Sequence, residues 1–347
     1  MTHRHPTPVI SADKPWELDN MLISITVLPD PTADRLRLYY FVRTKDNPTQ
    51  NLLCVAYSSD GYHWTKPDLG DGTNIVMRAS GNETGWGQFM PTRILFDPND
   101  PDTSQHWKMI YWDRPNPNAP SGICLATSPD GFTWTTLPNQ PVMCNANDAM
   151  SMINVPHTIE NPIRGGRYLI YQQTWTYNPH LPTERDNLKG IHRHISLWSS
   201  PTFASHIADG GWIGPITILE PDVHDPPDIQ FYWLTPFLTP KGFGGLLNCH
   251  HTNDQTMDVQ LVTSTDGWSW ERANNREPII PLTGPGHFDC GLIVAASPPV
   301  LWQNKALVYY NGRATVHDQQ LRYPDHPAPN PLNGIGLAEF DTATLLT

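Results

Sequence analysis

A short pattern that recurs at nearly regular spacing constrains the fold of this sequence more than any other feature. The pattern Ser-x-Asp-Gly-x-x-Trp occurs as SSDGYHW at 58–64, SPDGFTW at 128–134 and STDGWSW at 264–270. Its Asp residues are 70 and 136 positions apart, so the second interval is close to twice the first. A unit of about 69 residues therefore repeats with one copy of the pattern lost, and the 347-residue chain holds about five units.

Each unit consists of short predicted strands. An Asp-Gly pair between two apolar alternating runs indicates a β-hairpin turn, and such runs flank all three copies of the pattern. A strand rich in Tyr, Ile and Leu precedes the hairpin and occurs five times, at 37–43, 107–113, 167–173, 244–250 and 306–312. In each unit a further strand starts before it, at Asp19, Gln88, Asp148, Asp228 and Asp289.

Five units of four antiparallel strands predict an all-β fold, a five-bladed β-propeller in which the first strand of each blade lines a central channel. The repeated hairpins belong to blades 1, 2 and 4, whereas segment 194–203 of blade 3 keeps the strand without the turn pattern. We expect one domain over 1–347, with blades at approximately 16–80, 81–145, 146–222, 223–284 and 285–347. The N-terminus is expected to supply the outer strand of the last blade. A pair of β-sandwiches would not explain the period.

The acids of the repeated pattern are predicted to be structural. If the first strand starts at the top of the channel, the turn between strands three and four lies at the bottom periphery. Gly supplies the positive φ of the turn, Asp hydrogen-bonds the turn backbone, and Trp packs between blades. We therefore expect Asp60, Asp130 and Asp266 to lie far from any site.

The top face of the predicted propeller collects a different set of side chains. First strands begin there and second strands end there, and two long insertions, 176–192 and 318–332, follow second strands and are expected to form walls or a lid. The residues predicted at this mouth are Asp19, Gln88, Asp148, Asp228 and Asp289 from the first strands, and Arg43, Asp113, Arg114, Trp175, His250, His251, Arg313 and His317 from the second.

Carboxylates that face one another in a narrow channel cannot all ionise cheaply, so one of them is expected to have a raised pKa. Glycoside hydrolysis uses a protonated carboxyl as acid and an ionised carboxylate as base or nucleophile. Aromatic residues at the rim would stack on sugar rings, and Arg and His would bind hydroxyls or a carboxylate. The sequence therefore predicts a glycosidase whose site lies in the channel.

The strand order, the repeated hairpins, the KPDLG string at 66–70 and the GLIVAASPPV and LVYYNGRATVH strings at 291–300 and 307–317 resemble the five-bladed glycoside hydrolase superfamily of fructosidases, levansucrases, arabinanases and xylosidases. The resemblance covers most of the chain and rests on the repeat pattern. It implies that Asp19 is the base or nucleophile and that Asp148 stabilises the transition state. The acid position falls near Asp228, where the superfamily has Glu; Asp225, Glu220 and Glu83 are further candidate acids.

The resemblance leaves the substrate open. The sequence lacks the Asn-Asp-Pro-Asn-Gly and Arg-Asp-Pro strings of fructosidases, so it does not predict a fructan substrate. The substrate is expected to be an oligosaccharide or glycoside, such as a furanoside, and the two arginines at the mouth would permit an acidic sugar. Whether the reaction inverts or retains depends on the separation of the two carboxyls.

Two other functions agree with the same residues. Related propellers catalyse phosphorolysis of mannosides, and Arg43, Arg114, Arg313, His250 and His251 could bind the phosphate. A non-catalytic carbohydrate-binding propeller is the other alternative, because fold does not fix function.

No cofactor is predicted, apart from a structural divalent cation in the channel. A mixed nitrogen and oxygen metal site would draw on several histidines and two acids, but no HxH or HExxH spacing on a suitable element indicates a catalytic metal, except His192 and His194, which lie beside an insertion. The residues considered for such a site are His157, His250, His251, His287 and His317 with Asp228 or Asp289.

Charge and hydropathy exclude other partners. The net charge of −12 and the lack of a basic cluster argue against nucleic acid. The sequence has no apolar run long enough to span a membrane, and its first residues lack the apolar core of a signal peptide, so we expect a cytoplasmic protein. The oligomeric state is left open.

Overall fold

The computed structural model describes residues 1–45, 47, 50–82, 89–144, 147–156 and 165–346. Within these ranges the chain is nearly all β, with one short α-helix, α1 (Thr342–Leu346), and 3₁₀ turns at Thr103–Gln105, Ile207–Asp209 and Asn274–Arg276. None of the described helices is long and apolar enough to cross a membrane. Alternating apolar residues and frequent turn residues favour this succession of short strands.

The described strands number twenty-one. In chain order they are β1 (His3–Arg4), β2 (Met21–Pro29), β3 (Leu36–Arg43), β4 (Leu52–Ser58), β5 (Ile75–Arg78), β6 (Met90–Phe96), β7 (Trp107–Asp113), β8 (Gly122–Ser128), β9 (Thr135–Thr136), β10 (Met150–Asn154), β11 (Tyr168–Tyr177), β12 (Ile191–Ser200), β13 (Ile213–Leu219), β14 (Ile229–Thr239), β15 (Gly242–His251), β16 (Thr256–Ser264), β17 (Glu271–Arg272), β18 (Leu292–Val294), β19 (Val300–Trp302), β20 (Lys305–Arg313) and β21 (Asn333–Phe340).

Consecutive strands pair into antiparallel sheets of the predicted kind. Among the described residues, three sheets have four strands each, in the orders β2-β3-β4-β5, β6-β7-β8-β9 and β10-β11-β12-β13. The remaining nine strands form one sheet, which a single parallel pair between Met257 and Leu292 divides into β14–β17 and β18–β21 with β1. In the second half, His3 pairs with Glu339, so the N-terminus supplies an outer strand as the sequence predicts.

The sheets follow one another in a closed series. Strand β2 contacts β6, β6 contacts β10 and β10 contacts β14, while β2 also contacts β20 and β21. Five apolar clusters lie in the described chain, and each lies mainly between two successive groups of strands, including the pair formed by the last group and the first. Each buried Leu, Ile or Phe in them contributes about 1.5–3 kcal/mol. The hydrophobic core therefore consists of the interfaces between neighbouring sheets.

The repeated Asp-Gly turns are held by their own side chains. In the third copy, Asp266 Oδ1 accepts hydrogen bonds of 2.8 Å from the backbone N–H groups of Trp268 and Ser269 and one of 3.0 Å from the Ser264 hydroxyl. The first two copies have the same contacts. Burial opposes ionisation, but the hydrogen bonds outweigh it and lower the pKa of all three aspartates. These contacts support a structural role for the three acids.

Each of these turns also bonds to a tyrosine of a neighbouring sheet. The turn glycine has a positive φ, and in Gly131 an added Cβ would lie 2.3 Å from the Tyr39 hydroxyl, so only glycine fits there. Its carbonyl accepts a hydrogen bond from the buried tyrosine. The three pairs are Tyr39 to Gly131 at 3.0 Å, Tyr171 to Gly267 at 2.8 Å and Tyr309 to Gly61 at 2.7 Å.

This contact gives a test of how the sheets are joined. The variant Tyr171→Phe keeps the buried ring but leaves the Gly267 carbonyl without its donor, so we expect the free energy of unfolding to fall by about 1–2 kcal/mol. Urea denaturation followed by tryptophan fluorescence measures the change. Tyr177→Phe, on a side chain that is 74% exposed, is the matched control and should change nothing. Equal stability of the two variants would contradict the role given to this hydrogen bond.

Candidate active site

A cavity of about 450 Å³ opens where the first strands of different sheets begin. Its apolar wall comes from strands far apart in the sequence: Met21 and Ile23 of β2, Met90 of β6, Trp233 of β14, Met257 of β16, and Leu292 and Val294 of β18. Ligand pockets commonly have this size and combine apolar walls with a few polar groups. The cavity is therefore large enough for a sugar ring with its substituents.

Asp148 is the acid from the first-strand series that lines the cavity. It lies two residues before β10, where the side chain of Asn147 accepts a 2.7 Å hydrogen bond from the backbone N–H of Ala149. Burial raises the pKa of Asp148, and this effect exceeds the opposing effects of the positive charge of Arg43 and of the nearby backbone N–H groups. A carboxyl group with a raised pKa can hold a proton and donate it to a leaving group.

Two arginines reach the same cavity through the sheet register. Arg43 ends β3 and pairs with Met21 at the start of β2, and Arg313 ends β20 and pairs with Leu292 at the start of β18. Both were predicted at the mouth, and both line the cavity. Burial, followed by repulsion from Arg43, lowers the pKa of Arg313 to about 10, so the Arg313 side chain is charged at neutral pH.

A hydrogen-bonded wall adjoins the arginines. Tyr232 and His317 line the cavity, and the Tyr232 hydroxyl lies 3.2 Å from His317 Nε2. On the far side of the imidazole, Asp186 Oδ1 lies 3.7 Å from His317 Nδ1, and the other Asp186 oxygen accepts a 2.6 Å hydrogen bond from Arg193. Burial and then the neighbouring arginines lower the pKa of His317 to about 3. This histidine is therefore neutral at physiological pH.

The two long insertions meet over the cavity, as expected from the sequence. Arg185 and Asn187 of the first insertion and Asp318 and Gln319 of the second all line it. Arg185 and Asp318, which are 133 residues apart, form an ion pair of 2.8 Å. The two insertions are therefore joined by a charge pair at the cavity wall.

Several lining residues were not among the individual residues predicted for the site. Tyr232 and Trp233 fall inside β14, where the sequence reads as one apolar run, and Gln255 sits at a turn with φ of 63°. The four residues of the insertions were covered only by the predicted ranges. Tyr232 and Trp233 are adjacent in the sequence, and the pairing of β14 with β15 is irregular between Phe231 and Trp233. Such a bulge changes the alternation of faces and has no local signal here, so sequence reasoning does not single these residues out.

The structure places Asp19 and Asp228 outside the cavity wall. Asp19 is exposed in the turn before β2 and has φ of 62°. The Asp228 carbonyl accepts a 2.9 Å hydrogen bond from the backbone N–H of Thr252, and its carboxylate faces the backbone N–H of Asn253 at 3.4 Å. Asp228 therefore serves the turn that follows β15, and the geometry does not bring these two acids to Asp148.

Asp289 is separated from the cavity by its own partners. Its carboxylate binds the guanidinium of Arg4 at 2.5 Å and accepts hydrogen bonds from the hydroxyls of Tyr310 and Thr283 at 2.8 and 2.6 Å. The side chain is nearly fully buried. This acid anchors the N-terminal strand, which the periodicity of the sequence could not reveal because Arg4 lies 285 residues away.

Four more predicted residues lie elsewhere. Asp113 is buried and accepts hydrogen bonds from the Ser80 hydroxyl at 3.1 Å and its neighbour Arg114 at 2.8 Å, in a separate cavity beside β5 and β7. The Arg114 guanidinium binds loop carbonyls. Trp175 donates a 2.8 Å hydrogen bond to Gln173. None of these residues, nor His251, lines the cavity around Asp148.

The remaining residues considered in the sequence have other environments. His250 is fully buried behind His317, with 4.6 Å between ring centroids, and burial lowers its pKa. His251 pairs with Asp258 at 2.9 Å. Asp225 is held by Arg272 and Arg276, and Glu220 is exposed. Gln88, Glu83 and His157 lie outside the described residues.

Two clusters in the described chain have donors that could hold a metal ion. They are His3, His5 and Glu339 at the surface, and Asp186, His250 and His317 beside the cavity. In the second cluster Arg193 occupies one Asp186 oxygen at 2.6 Å, and the same arginines that disfavour a proton on His317 disfavour a divalent cation. The electrostatics of this cluster therefore favour neutral imidazoles over a metal site.

Comparisons with known proteins identify relatives of the fold. No family model matches the sequence, and no curated protein matches it. Solved structures do match: one from the GH130 family of mannoside phosphorylases, which contains glycoside hydrolases that target β-1,2 mannosidic linkages in Candida mannan, is 14% identical with a TM-score of 0.62, over 97% of this chain and 92% of that one. The chain thus has the fold of solved glycoside hydrolase structures.

Two further matches agree. A glycosyl hydrolase from Bacteroides ovatus is 16% identical with a TM-score of 0.58, over 98% of this chain and 89% of that one. A fructofuranosidase from Schwanniomyces occidentalis in complex with fructosylnystose is 14% identical with a TM-score of 0.57, over 96% of this chain and 58% of that one. At these identities the similarity establishes the fold, as the resemblance noted in the sequence predicts.

The lowered pKa of His317 predicts how stability depends on pH. The unfolded chain binds the proton near pH 6.5 and the folded chain only near 3, so acidification favours unfolding, by up to ~1.4 kcal/mol per pH unit for each such proton. We expect the free energy of unfolding to fall between pH 6.5 and 5, and to fall less steeply in His317→Gln. Urea titrations at several pH values measure the slope. His180→Gln, on an exposed histidine, should keep the wild-type slope, and an unchanged slope in His317→Gln would contradict the assignment.

Proposed function

We propose that this protein is a glycoside hydrolase whose proton donor is Asp148. The observation that carries the proposal is the placement of this carboxyl, half-buried and with a raised pKa, in the wall of a cavity of sugar size. Hydrolysis of a glycosidic bond needs an acid that is still protonated near neutral pH to protonate the leaving oxygen. Burial shifts the pKa of Asp148 in that direction, away from the range of ordinary exposed aspartates.

The proposed scaffold is a single five-bladed propeller. Three four-stranded sheets, the two halves of the nine-stranded sheet and the closed series of apolar clusters support this arrangement. In such a ring, first strands face the axis, which agrees with the contribution of β2, β6, β14 and β18 to one cavity. The likeness to solved glycoside hydrolases supports the same interpretation.

The second carboxylate of the proposed reaction is Asp318. It lines the same cavity as Asp148 and is positioned by its ion pair with Arg185. The resemblance in the sequence implied Asp19 as base or nucleophile and Asp148 as the residue that stabilises the transition state, but Asp19 is exposed and outside the cavity wall. Activation of water by a carboxylate requires that it reach the substrate, so position favours Asp318. The rings of Tyr232 and Trp233 are available to stack on the sugar, and the amides of Asn187 and Gln255 are available to hydrogen-bond its hydroxyls.

Replacement of Asp148 tests the proposal. A screen of chromogenic pyranosides and furanosides identifies a hydrolysed substrate, and Asp148→Asn should then lower kcat by about 10²–10⁴-fold, the usual contribution of a general acid. In the wild type, kcat should fall as pH rises through the pKa of Asp148, because the donor loses its proton. The surface variant Asp209→Asn is the matched control.

Two outcomes would contradict the proposal. Full activity of a folded Asp148→Asn protein would remove Asp148 from the reaction. Sugar release that requires inorganic phosphate would identify a phosphorylase in place of a hydrolase. Parallel assays of Asp318→Asn and Asp19→Asn decide which of these carboxylates takes part, since only the participating residue should be needed for turnover.

A further inference from the structure

Arg43, which is exposed at the end of β3, and Arg313, which is buried, have no acidic partner among the described residues. Three arginines elsewhere are each paired with an aspartate: Arg37 with Asp30 at 2.9 Å, Arg193 with Asp186 at 2.6 Å and Arg272 with Asp225 at 3.1 Å. In the part of the chain that the structure describes, neither Arg43 nor Arg313 forms an ion pair. Both guanidinium groups instead line the cavity beside Asp148.

Arg313 is the buried member of this pair. The Nε atoms of Arg37, Arg193 and Arg272 are also unpartnered, but each of those guanidinium groups has a carboxylate on another nitrogen, and Arg313 has none among the described residues. Arg313 is only 6% exposed, and its Nε atom is buried without a hydrogen-bond partner among the described residues. Its one hydrogen bond there, from Nη1 to Gln319 Oε1, is 3.5 Å long. A buried guanidinium without acceptors costs free energy, and the cost is recovered when an anion binds. The protein carries a net charge of −12, so the lack of a partner is not due to a shortage of acids.

We propose that Arg43 and Arg313 bind a carboxylate carried by the sugar, so that the substrate is an acidic glycoside such as a uronide. This inference rests on the proposed glycosidase function. Arginine presents its donors in a planar fork that matches the two oxygens of a carboxylate, and two arginines from different sheets can share one such group. The pairing with Met21 and Leu292 holds both side chains at the cavity by strand ends.

The charges in the cavity favour an anion. Arg185 is paired with Asp318, which leaves Arg43 and Arg313 beside the single carboxyl of Asp148. While Asp148 holds its proton, as the proposed proton donor must, these three groups carry a net charge of +2, which an anion offsets and which repels a divalent cation. The planar fork of arginine matches a carboxylate, and inorganic phosphate is the competing anion in the titration that tests the proposal.

Binding of a carboxylate would also assist the proposed chemistry. Arg43 is the charged group that lowers the pKa of Asp148, against the larger effect of burial. Among the described residues, the other charged or titratable groups that line the cavity are Arg313, Arg185, Asp318, Tyr232 and His317. A carboxylate on Arg43 offsets its positive charge, which raises the pKa of Asp148 further and keeps the proton on the donor. Substrate binding would thus favour the protonated form of Asp148.

Calorimetric titration separates this proposal from the proposed function, because it needs no turnover. The probes are D-glucuronate and D-galacturonate, each compared with its neutral counterpart, D-glucose or D-galactose, and with inorganic phosphate. We expect one uronate to bind the wild type about tenfold or more tightly than its neutral counterpart, as for a charge-assisted hydrogen bond. Arg43→Gln and Arg313→Gln should each abolish the preference, and Arg313→Lys should restore part of it.

The matched control is Arg78→Gln, which removes one exposed guanidinium from β5, outside the cavity. It should keep the preference for the uronate. Thermal unfolding of each variant shows whether it is folded, and Arg43 is itself exposed at a strand end, so its replacement should be tolerated. A preference that Arg78→Gln also loses would reflect the net charge of the protein and would overturn the assignment.

The carboxylate subsite and the hydrolase function can fail independently, and the results that contradict each of them differ. A uronate preference that depends on both arginines, without hydrolysis of any glycoside, would support the subsite and contradict the hydrolase. Hydrolysis of neutral glycosides without a uronate preference would support the hydrolase and overturn the subsite. Phosphate that binds more tightly than either uronate and depends on the same arginines would also overturn the carboxylate assignment.

Discussion

A hydrogen bond from a buried tyrosine hydroxyl to the carbonyl of an Asp-Gly turn joins neighbouring sheets in this protein. It occurs three times, and each time it links one sheet to the turn of the next group of strands. Tyr39 and Tyr309 stand four residues before the ends of β3 and β20, and at the same distance from the ends of β7 and β15 stand Met109 and Leu247. The groups that follow those two strands lack the turn pattern. Donor and acceptor are therefore present together or absent together.

These hydrogen bonds and the apolar clusters hold the sheets against one another, and the cavity depends on that arrangement. Arg43 and Arg313 are 270 positions apart in the sequence, yet each ends a strand whose partner starts at the cavity. Asp148 comes from a third sheet and Tyr232 from a fourth group of strands. The burial that raises the pKa of Asp148 and lowers those of Arg313 and His317 follows from the convergence of these walls, because desolvation disfavours the charged form of every group.

Strand register brings four of the residues predicted for the site to one cavity. Asp148, Arg43, Arg313 and His317 were named from the repeat and all line the cavity. The register did not decide which way a residue beside a strand end faces. Asp19 and Asp228 precede their strands by one or two residues and serve turns, while Asp289 turns to Arg4. One residue of displacement reverses the face of a strand, and a period known to within a few residues cannot resolve that.

The sequence by itself determined the repeat, the all-β class, the paired strands and the structural role of the Asp-Gly turns, since turn chemistry and alternating hydrophobicity are local properties. Only the tertiary structure decided which charges are paired. Arg185 pairs with Asp318 and Arg4 pairs with Asp289, whereas Arg43 and Arg313 form no ion pair among the described residues and line the same cavity as Asp148. Electrostatic effects depend on distance and burial between residues hundreds of positions apart, which no local pattern encodes.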